Sequence, residues 1–334
     1  MSDTDGEDLS IVVQGRLNAA DAAQTAHHCR HWRDDFPGAE LILAVSESDL
    51  FGAERTTPEA LRAAGDCSGV AVAGALRALS GTVDRVVHAQ PEAALAPLKF
   101  GGAPNHVNLQ IAAAQSGLAA ATRLHTLRVR SDLTLVGPII DHYARSREFA
   151  PAATILSQRV MICQLFTLNP YTAERLPFHY SDWFQLGATA DLRAMWGIGR
   201  YDAADATYYS SRPHARYSTP SERQFQSRYA AEQFIALEYF RRHDRTIVVD
   251  FHNDLLGRRR GMDILFGEFV IADPQVCRIN FPKYHHVIDH PFSDLLCVSH
   301  EDWRQFAEVQ SHAGYQGYFR GKAERLAAFP HGYG

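Results

Sequence analysis

IVVQGRLNAADAAQTAHHCRHWRDDFPGAELILAV, residues 11–45, is the stretch whose reading decides the fold. Ile11-Val12-Val13 is a short β-branched run that stops at Gln14-Gly15. A helix-forming segment follows over Ala19–Arg33, and Pro37-Gly38 turns the chain out of it. Leu41-Ile42-Leu43-Ala44-Val45 is apolar without alternation, the pattern of a strand covered on both faces. A strand, a helix and a second strand at this spacing close as a parallel pair with the helix packed on the sheet. The class is therefore α/β.

Working outward, Val83-Asp84-Arg85-Val86-Val87 and Leu124-His125-Thr126-Leu127-Arg128-Val129-Arg130 read as further strands, and Val160-Met161-Ile162-Cys163 as another. Asn105, after the Gly101-Gly102-Ala103-Pro104 turn, is placed to cap a helix running to about Ser116. Helices are expected over Asp191–Trp196 and, as one long amphipathic element, over Glu222–Arg242, with a strand over Thr246–Phe251. The alanine-rich Asp49–Gly81 stretch suits one or two helices. No break in composition forces a boundary. The expected organisation is a disordered 1–9, a catalytic domain over 10–250 and a C-terminal extension, 251–334, packed on that same domain.

Composition narrows the function classes. The 334 residues carry a formal net charge of −5, which gives no general electrostatic reason to bind nucleic acid. No G-x-G-x-x-G and no G-x-x-x-x-G-K-[ST] occurs, which argues against ordinary dinucleotide binding and P-loop chemistry. Cys29, Cys67, Cys163, Cys277 and Cys297 are odd in number and widely spaced, and the acidic Met1–Ser10 does not look like a signal sequence. Reduced thiols in a cytoplasm are expected. No run approaches the roughly 18 apolar residues of a membrane span, so any membrane contact would be peripheral, at the inner membrane.

Ligands of open α/β sheets bind at the carboxyl ends of the strands, which selects Gln14-Gly15 and Arg128 to Asp132. A glycine there lets the backbone approach a base or phosphate, or simply turns the chain. Arg128, Arg130 and Asp132 alternate, so an extended chain presents them to one side. Two arginines and a carboxylate suit a diphosphate with Mg²⁺ or Mn²⁺; an ion-pair ladder is the alternative. His179-Tyr180-Ser181-Asp182-Trp183 joins groups able to take a proton to an aromatic able to stack on a sugar. The competing reading makes Trp183 core and Asp182 a helix cap. His27 with His31, and His285, His286 and His290, have metal-like spacing without a completing Cys or Glu, so hydrogen-bonded or solvated histidines are the default. Arg258-Arg259-Arg260 reads as a solvated turn.

Several of these segments, taken in order, resemble the WavE lipopolysaccharide synthesis family of bacterial glycosyltransferases. The resemblance is carried by Ile11 to Gly15, Phe36 to Leu43, Val83 to Val87, Asn105-His106-Val107-Asn108-Leu109-Gln110-Ile111, Leu127 to Leu133, Phe178 to Phe184 and, more weakly, Ala231-Glu232-Gln233-Phe234-Ile235. It covers roughly residues 10–240. What it implies is a GT-A-like fold, one mostly parallel Rossmann-like sheet flanked by helices with a C-terminal acceptor-side extension. It also implies sugar transfer from a nucleotide-sugar to a lipopolysaccharide core, O-antigen or capsule. Gln14 and Gly15 would border the nucleotide, Asn105 and Asn108 the ribose or sugar, and Arg128, Arg130 and Asp132 the diphosphate, with Asp132 on a divalent cation. Asp182 would be the general base, with Glu232 and Glu268 as substitutes. The chain departs from the family at Val45-Ser46-Glu47-Ser48, in the inserted Asp49–Gly81 stretch, and in an Asp132 that stands outside any D-x-D pair. Alternatives are the same fold serving a soluble small-molecule acceptor, a nucleotidyltransferase, or a glycan- or nucleotide-binding protein without catalysis.

Overall fold

The computed structural model describes residues 7–17, 22–48, 79–90, 92–149, 153–172, 174–288, 290, 292–307 and 314–327. Most of the Asp49–Gly81 stretch, Cys67 and nearly all of the expected disordered N-terminus lie outside them. Leu9, expected in that terminus, is buried in the first strand.

The strands are β1 (Leu9–Leu17), β2 (Glu40–Ser48), β3 (Arg85–His88), β4 (His125–Arg130), β5 (Thr134–Leu135), β6 (Val160–Cys163), β7 (Phe184–Ala188), β8 (Phe269–Ala272) and β9 (Ile279–Asn280). Seven of them form one mixed, mostly parallel sheet in the order β3-β2-β1-β4-β7-β6-β8, while β5 and β9 pair separately. Only β7 runs antiparallel to its neighbours β4 and β6. The main helices are α1 (Ala22–Asp35), α2 (Val107–Ala120), α3 (Ile139–Phe149), α4 (Thr189–Trp196), α5 (Ala231–His243), α6 (Arg258–Glu268), α7 (His300–Ala307) and α8 (Tyr315–Ala327).

Both faces of β1 and β2 are covered, which is why their sequences lack alternation. Val12, Ile42 and Ala44 pack with Ala121 beneath the end of α2. Ile11, Val13, Leu41 and Leu43 join the main core together with Cys29 and Trp32 of α1. The α2 contact is close: a Cβ at Gly117 would stand 2.5 Å from Val12 Cγ1 and 2.8 Å from Ala44 Cβ. Glycine is required there by proximity.

Beyond residue 250, β8 pairs with β6 at the outer edge of the central sheet. Two expectations are corrected. The single helix expected over Glu222–Arg242 is a 3₁₀ turn, Glu222–Gln224, followed by a break and then α5. Glu222 explains the break: its carboxylate accepts hydrogen bonds from Arg175, from Thr219 N and from Asn253 Nδ2, which pins the turn away from the helix axis. Thr246–Phe251, expected as a strand, alternates, with Ile247 and Val249 buried and Val248 exposed, yet it joins no ladder among the described residues. Instead Val249 O accepts from Tyr229 Oη at 2.8 Å and from Arg241.

The Glu222 network gives the protein a defined acid response. Burial opposes ionisation of Glu222, but Arg175, Thr219 and Asn253 outweigh it and bring the pKa to about 2. His252, whose Nε2 bonds Glu222 O at 3.0 Å, is brought to about 4 by burial and by neighbouring His214. An unfolded imidazole takes its proton near 6.5 and an unfolded carboxylate near 4.5. Below each value the unfolded chain binds more protons than the folded one, so stability falls as pH falls. We expect His252 to remove stability between pH 6.5 and about 4, and Glu222 between 4.5 and about 2. Urea midpoints measured across that range should lose the lower slope in Glu222→Gln; an unchanged slope contradicts the assignment.

Candidate active site

Strand order reverses between β1 and β4, and the carboxyl ends of these two strands open into a cavity of about 790 Å³. A crevice at such a reversal is where open α/β sheets take their ligands, and the volume falls in the range of small-molecule sites, about 300–1,000 Å³.

A closed ring of hydrogen bonds makes its floor. Arg128 Nε donates to Gln14 Oε1 at 2.7 Å, and Gln14 Nε2 donates to Gln110 O at 2.7 Å. Gln110 Nε2 donates to the Asp182 carboxylate, and Arg128 Nη1 to the Asp182 carbonyl. Arg128 is 0% exposed, its guanidinium 4.3 Å from the centre of the Trp196 ring, and its Nη2 has no partner among the described residues. Burial brings its pKa to about 10, with Asp182 acting in the opposite direction. Gln14, Arg128 and Asp182 are thus brought together, as the joint that ties β1, α2, β4 and the approach to β7.

Gly15 belongs to the same joint. A Cβ there would fall 1.9 Å from Ser131 Oγ, and Ser131 N donates to Gln14 O at 2.8 Å. On α1, His28 Nδ1 donates to Ser131 O at 2.8 Å and His31 Nε2 bonds Leu135 O at 3.1 Å, so these histidines hold backbone.

Asp182 is only 5% exposed and borders a small cavity behind Glu232, away from the cleft. Glu232, in the first turn of α5, lines the cleft itself, with His179 beside it. His179 Nε2 lies 3.4 Å from Glu232 Oε2, and His179 Nδ1 lies 2.8 Å from Phe166 O. A carbonyl can only accept, so Nδ1 carries hydrogen and Nε2 is the ring nitrogen turned toward the Glu232 carboxylate. Burial raises the pKa of Glu232, as does Asp182 behind it, while His179 lowers it. Phe166 and Phe178, at φ 65° and 63°, hold left-handed backbone on either side of this arrangement. Such strain in a bulky residue costs of order 1–3 kcal/mol and gathers at functional sites.

One wall is the loop from Leu98 to His106, clamped to the chain near Phe225 by Phe100 N to Gln224 O and Gln226 N to Leu98 O, both 2.8 Å. Lys99 sits 5.1 Å from the Phe225 ring centre and 3.5 Å from Glu174. Arg16, Lys99, Arg128, Arg130 and Lys283 line the cleft against Asp132, Glu174 and Glu232. A chain of net charge −5 therefore concentrates positive charge in this cleft, which focuses anionic ligands there.

Other expectations need correction. Asn108 does not line the cleft; it clasps Tyr201, donating to Tyr201 O at 3.1 Å and accepting from Tyr201 N at 2.7 Å. Asn105 does line it, its Oδ1 taking Val107 N at 3.0 Å and its buried Nδ2 having no described partner. Glu268 lies elsewhere, saturated by Thr154 Oγ1 and by Thr154, Ile155 and Leu156 N. Asp132 lines the cleft, but Arg130 grips both of its oxygens, at 2.9 and 2.7 Å. No group of three or more His, Cys, Asp or Glu among the described residues could hold a metal ion. The donor set at Asp132 does not fit a divalent cation. Trp183 is buried core, packed at tilted and edge-on angles among Phe166, Phe281 and Tyr284. The Arg258 run opens α6, with Arg260 paired to Asp244 at 2.6 Å.

The family profile for WavE lipopolysaccharide synthesis matches residues 83–314. The chain belongs to this family. The WavE match takes in Asn105, Arg128 to Asp132, His179, Asp182 and Glu232, and reaches well into the tail. No curated protein matches the chain. Among solved structures, it is similar to the galactosyltransferase LgtC in complex with donor and acceptor sugar analogues. That likeness has 9% identity and a TM-score of 0.38, covering 94% of this chain and 99% of that one. An active-site mutant of LgtC gives 9% identity and a TM-score of 0.37, with 85% and 92% covered. The apo-form glycosyltransferase GlyE of Streptococcus pneumoniae gives 9% identity and 0.33, with 94% and 63% covered. Likenesses of this depth carry no chemistry across, which for this WavE chain rests on the residues of the cleft. Among the described residues, no helix is long and apolar enough to cross a membrane.

The meeting of His179 with Glu232 was not legible in the chain. The two are separated by β7, α4 and a long loop, and no local pattern announces that they face one another.

Proposed function

We propose that this WavE chain is a GT-A-like glycosyltransferase that moves a sugar from a nucleotide-sugar to a hydroxyl of a growing bacterial surface glycan, a lipopolysaccharide core, O-antigen or capsule. The observation that carries the reading is the placement, in one cleft at the β1/β4 reversal, of His179 Nε2 3.4 Å from the Glu232 carboxylate, together with a surplus of cations. The family's tie to lipopolysaccharide synthesis supports the glycan acceptor.

In this reading the donor's diphosphate lies against Arg130 and Lys283. The acceptor hydroxyl sits before Glu232, which takes its proton as the new carbon–oxygen bond forms at the anomeric carbon. The bond from that carbon to the diphosphate breaks, and its electron pair leaves with the nucleoside diphosphate. Side-chain cations neutralise the charge that develops there. His179 receives or returns the proton through Nε2, its ring held in place by Phe166 O.

The test is thermal shift with nucleoside diphosphates and sugar nucleotides. A nucleotide at a hundred times its dissociation constant should stabilise the protein by about 2.7 kcal/mol, and Arg130→Ala should remove most of that gain. If no nucleotide raises the melting temperature, the transferase reading fails. A shift without sugar loss, with both lipid-linked and soluble acceptors supplied, would point to a binding protein.

A further inference from the structure

At the outer edge of the sheet, where α3 and α7 pack on β8, lies a second cavity of about 230 Å³. It shares no lining residue with the cleft. Its charged and polar lining is His142, Arg145, Ser146, His300 and Arg304, with no carboxylate among them. In a chain of net charge −5, an all-basic lining is a departure from the surrounding surface.

Two of these groups are held in place. His300 Nδ1 donates to Ile271 O at 2.7 Å, which leaves Nε2 as the ring's remaining nitrogen. The His142 ring lies 4.7 Å from it, centre to centre. His142 is 8% exposed, and its buried Nε2 has no partner among the described residues. The two arginines are exposed at the rim, and the Arg304 guanidinium stands 4.9 Å from the Phe149 ring centre. Arginine's planar fork matches the oxygens of a phosphate.

We infer that this cavity is a binding site for a single phosphate monoester, with Arg145 and Arg304 gripping its oxygens and Ser146 Oγ completing the shell. Its size sets the class. The cavity is smaller than the about 300–1,000 Å³ that drug-sized ligands fill, so it takes one phosphate with a small body and excludes a nucleoside diphosphate. The site stands on its own residues, whatever the cleft is shown to bind. A phosphate of this kind has two sources, a free sugar phosphate or a phosphate carried on a glycan.

Calorimetric titration of the intact protein with inorganic phosphate, at constant ionic strength, tests it. Saturable binding is expected, weakened roughly ten- to a hundredfold in Arg145→Ala/Arg304→Ala and unchanged in Arg130→Ala. Both substituted arginines are exposed, and a wild-type melting curve checks that the variant is folded. Undiminished phosphate binding in the double variant overturns the proposal, as does binding lost in Arg130→Ala alone, or no saturable binding to the wild type. Two further titrants separate the sources. Tighter binding of a phosphorylated core oligosaccharide than of its dephosphorylated form, abolished in the double variant, places the phosphate on a glycan. Binding of glucose 6-phosphate with no such preference assigns a free sugar phosphate.

Discussion

Glu232→Gln is expected to lower turnover by about 10²–10⁴-fold, the usual contribution of a positioned general base, while nucleotide affinity stays within about threefold of wild type. The substitution keeps the shape and the hydrogen-bonding reach of the side chain and removes only its capacity to take a proton. Glu232 is partly buried and in the first turn of α5, 3.4 Å from His179 Nε2. Burial and Asp182 raise its pKa. The acidic limb of kcat/KM should therefore lie above the 4.5 of an ordinary glutamate, and it should disappear in the glutamine variant. Steady-state rates with a defined donor and acceptor, followed from acid to neutral pH, measure both. Near wild-type turnover in Glu232→Gln would remove this residue from the mechanism. An Asp182→Asn variant that alone lost turnover, while retaining its melting temperature, would return the role to the buried carboxylate.

The second large effect is on stability. Arg128→Met should destabilise the fold by about 3–5 kcal/mol, the range for stripping one partner from a buried charge pair. For a chain of this size that corresponds to a fall in melting temperature on the order of 10 °C. The arginine is completely buried, bridges Gln14 and the Asp182 carbonyl, and stands near the Asp182 charge. Methionine fills much of the volume but removes one of the positive charges acting on that carboxylate and leaves Gln14 Oε1 without its Arg128 donor. Adding Asp182→Asn to the variant should recover part of the loss, because the uncompensated charge is then gone. A double-mutant cycle by urea unfolding reads the coupling. If the two substitutions add independently, the floor of the cleft is not the coupled network described above.

These two residues show how unevenly the site could be read from the chain. Arg128, Arg130 and Asp132 were found through two-residue periodicity at a strand end, and that local rule put all three at the cleft. Their roles could not follow from it. Whether Arg130 faces a ligand or grips its neighbour Asp132 depends on side-chain geometry that spacing leaves open. Asp182 was selected by its neighbours in sequence, whereas α5 arrives from elsewhere to set Glu232 in front of it. Asn108 and Glu268 have residue types suited to a site, and each is consumed in holding backbone. Residue type names what a group is able to do, and only its partners tell whether that capacity is already used.

The same division holds for the fold. The sequence by itself determined β1, α1 and β2, because an unbroken apolar run followed by a helix and a turn is a local signal strong enough to survive any packing. It also determined the edge strand β3, the interior strands β4 and β6, and the carboxyl-end location of the cleft, which follows from strand direction. The tertiary structure decided the rest. β7 is a short run that becomes a strand only because β4 and β6 offer it antiparallel ladders, and β8 joins the sheet from beyond the expected boundary. Thr246–Phe251 has the alternation of a strand and, among the described residues, no neighbour to pair with. A ladder is made by two segments, and one segment's sequence cannot say whether the second will be there.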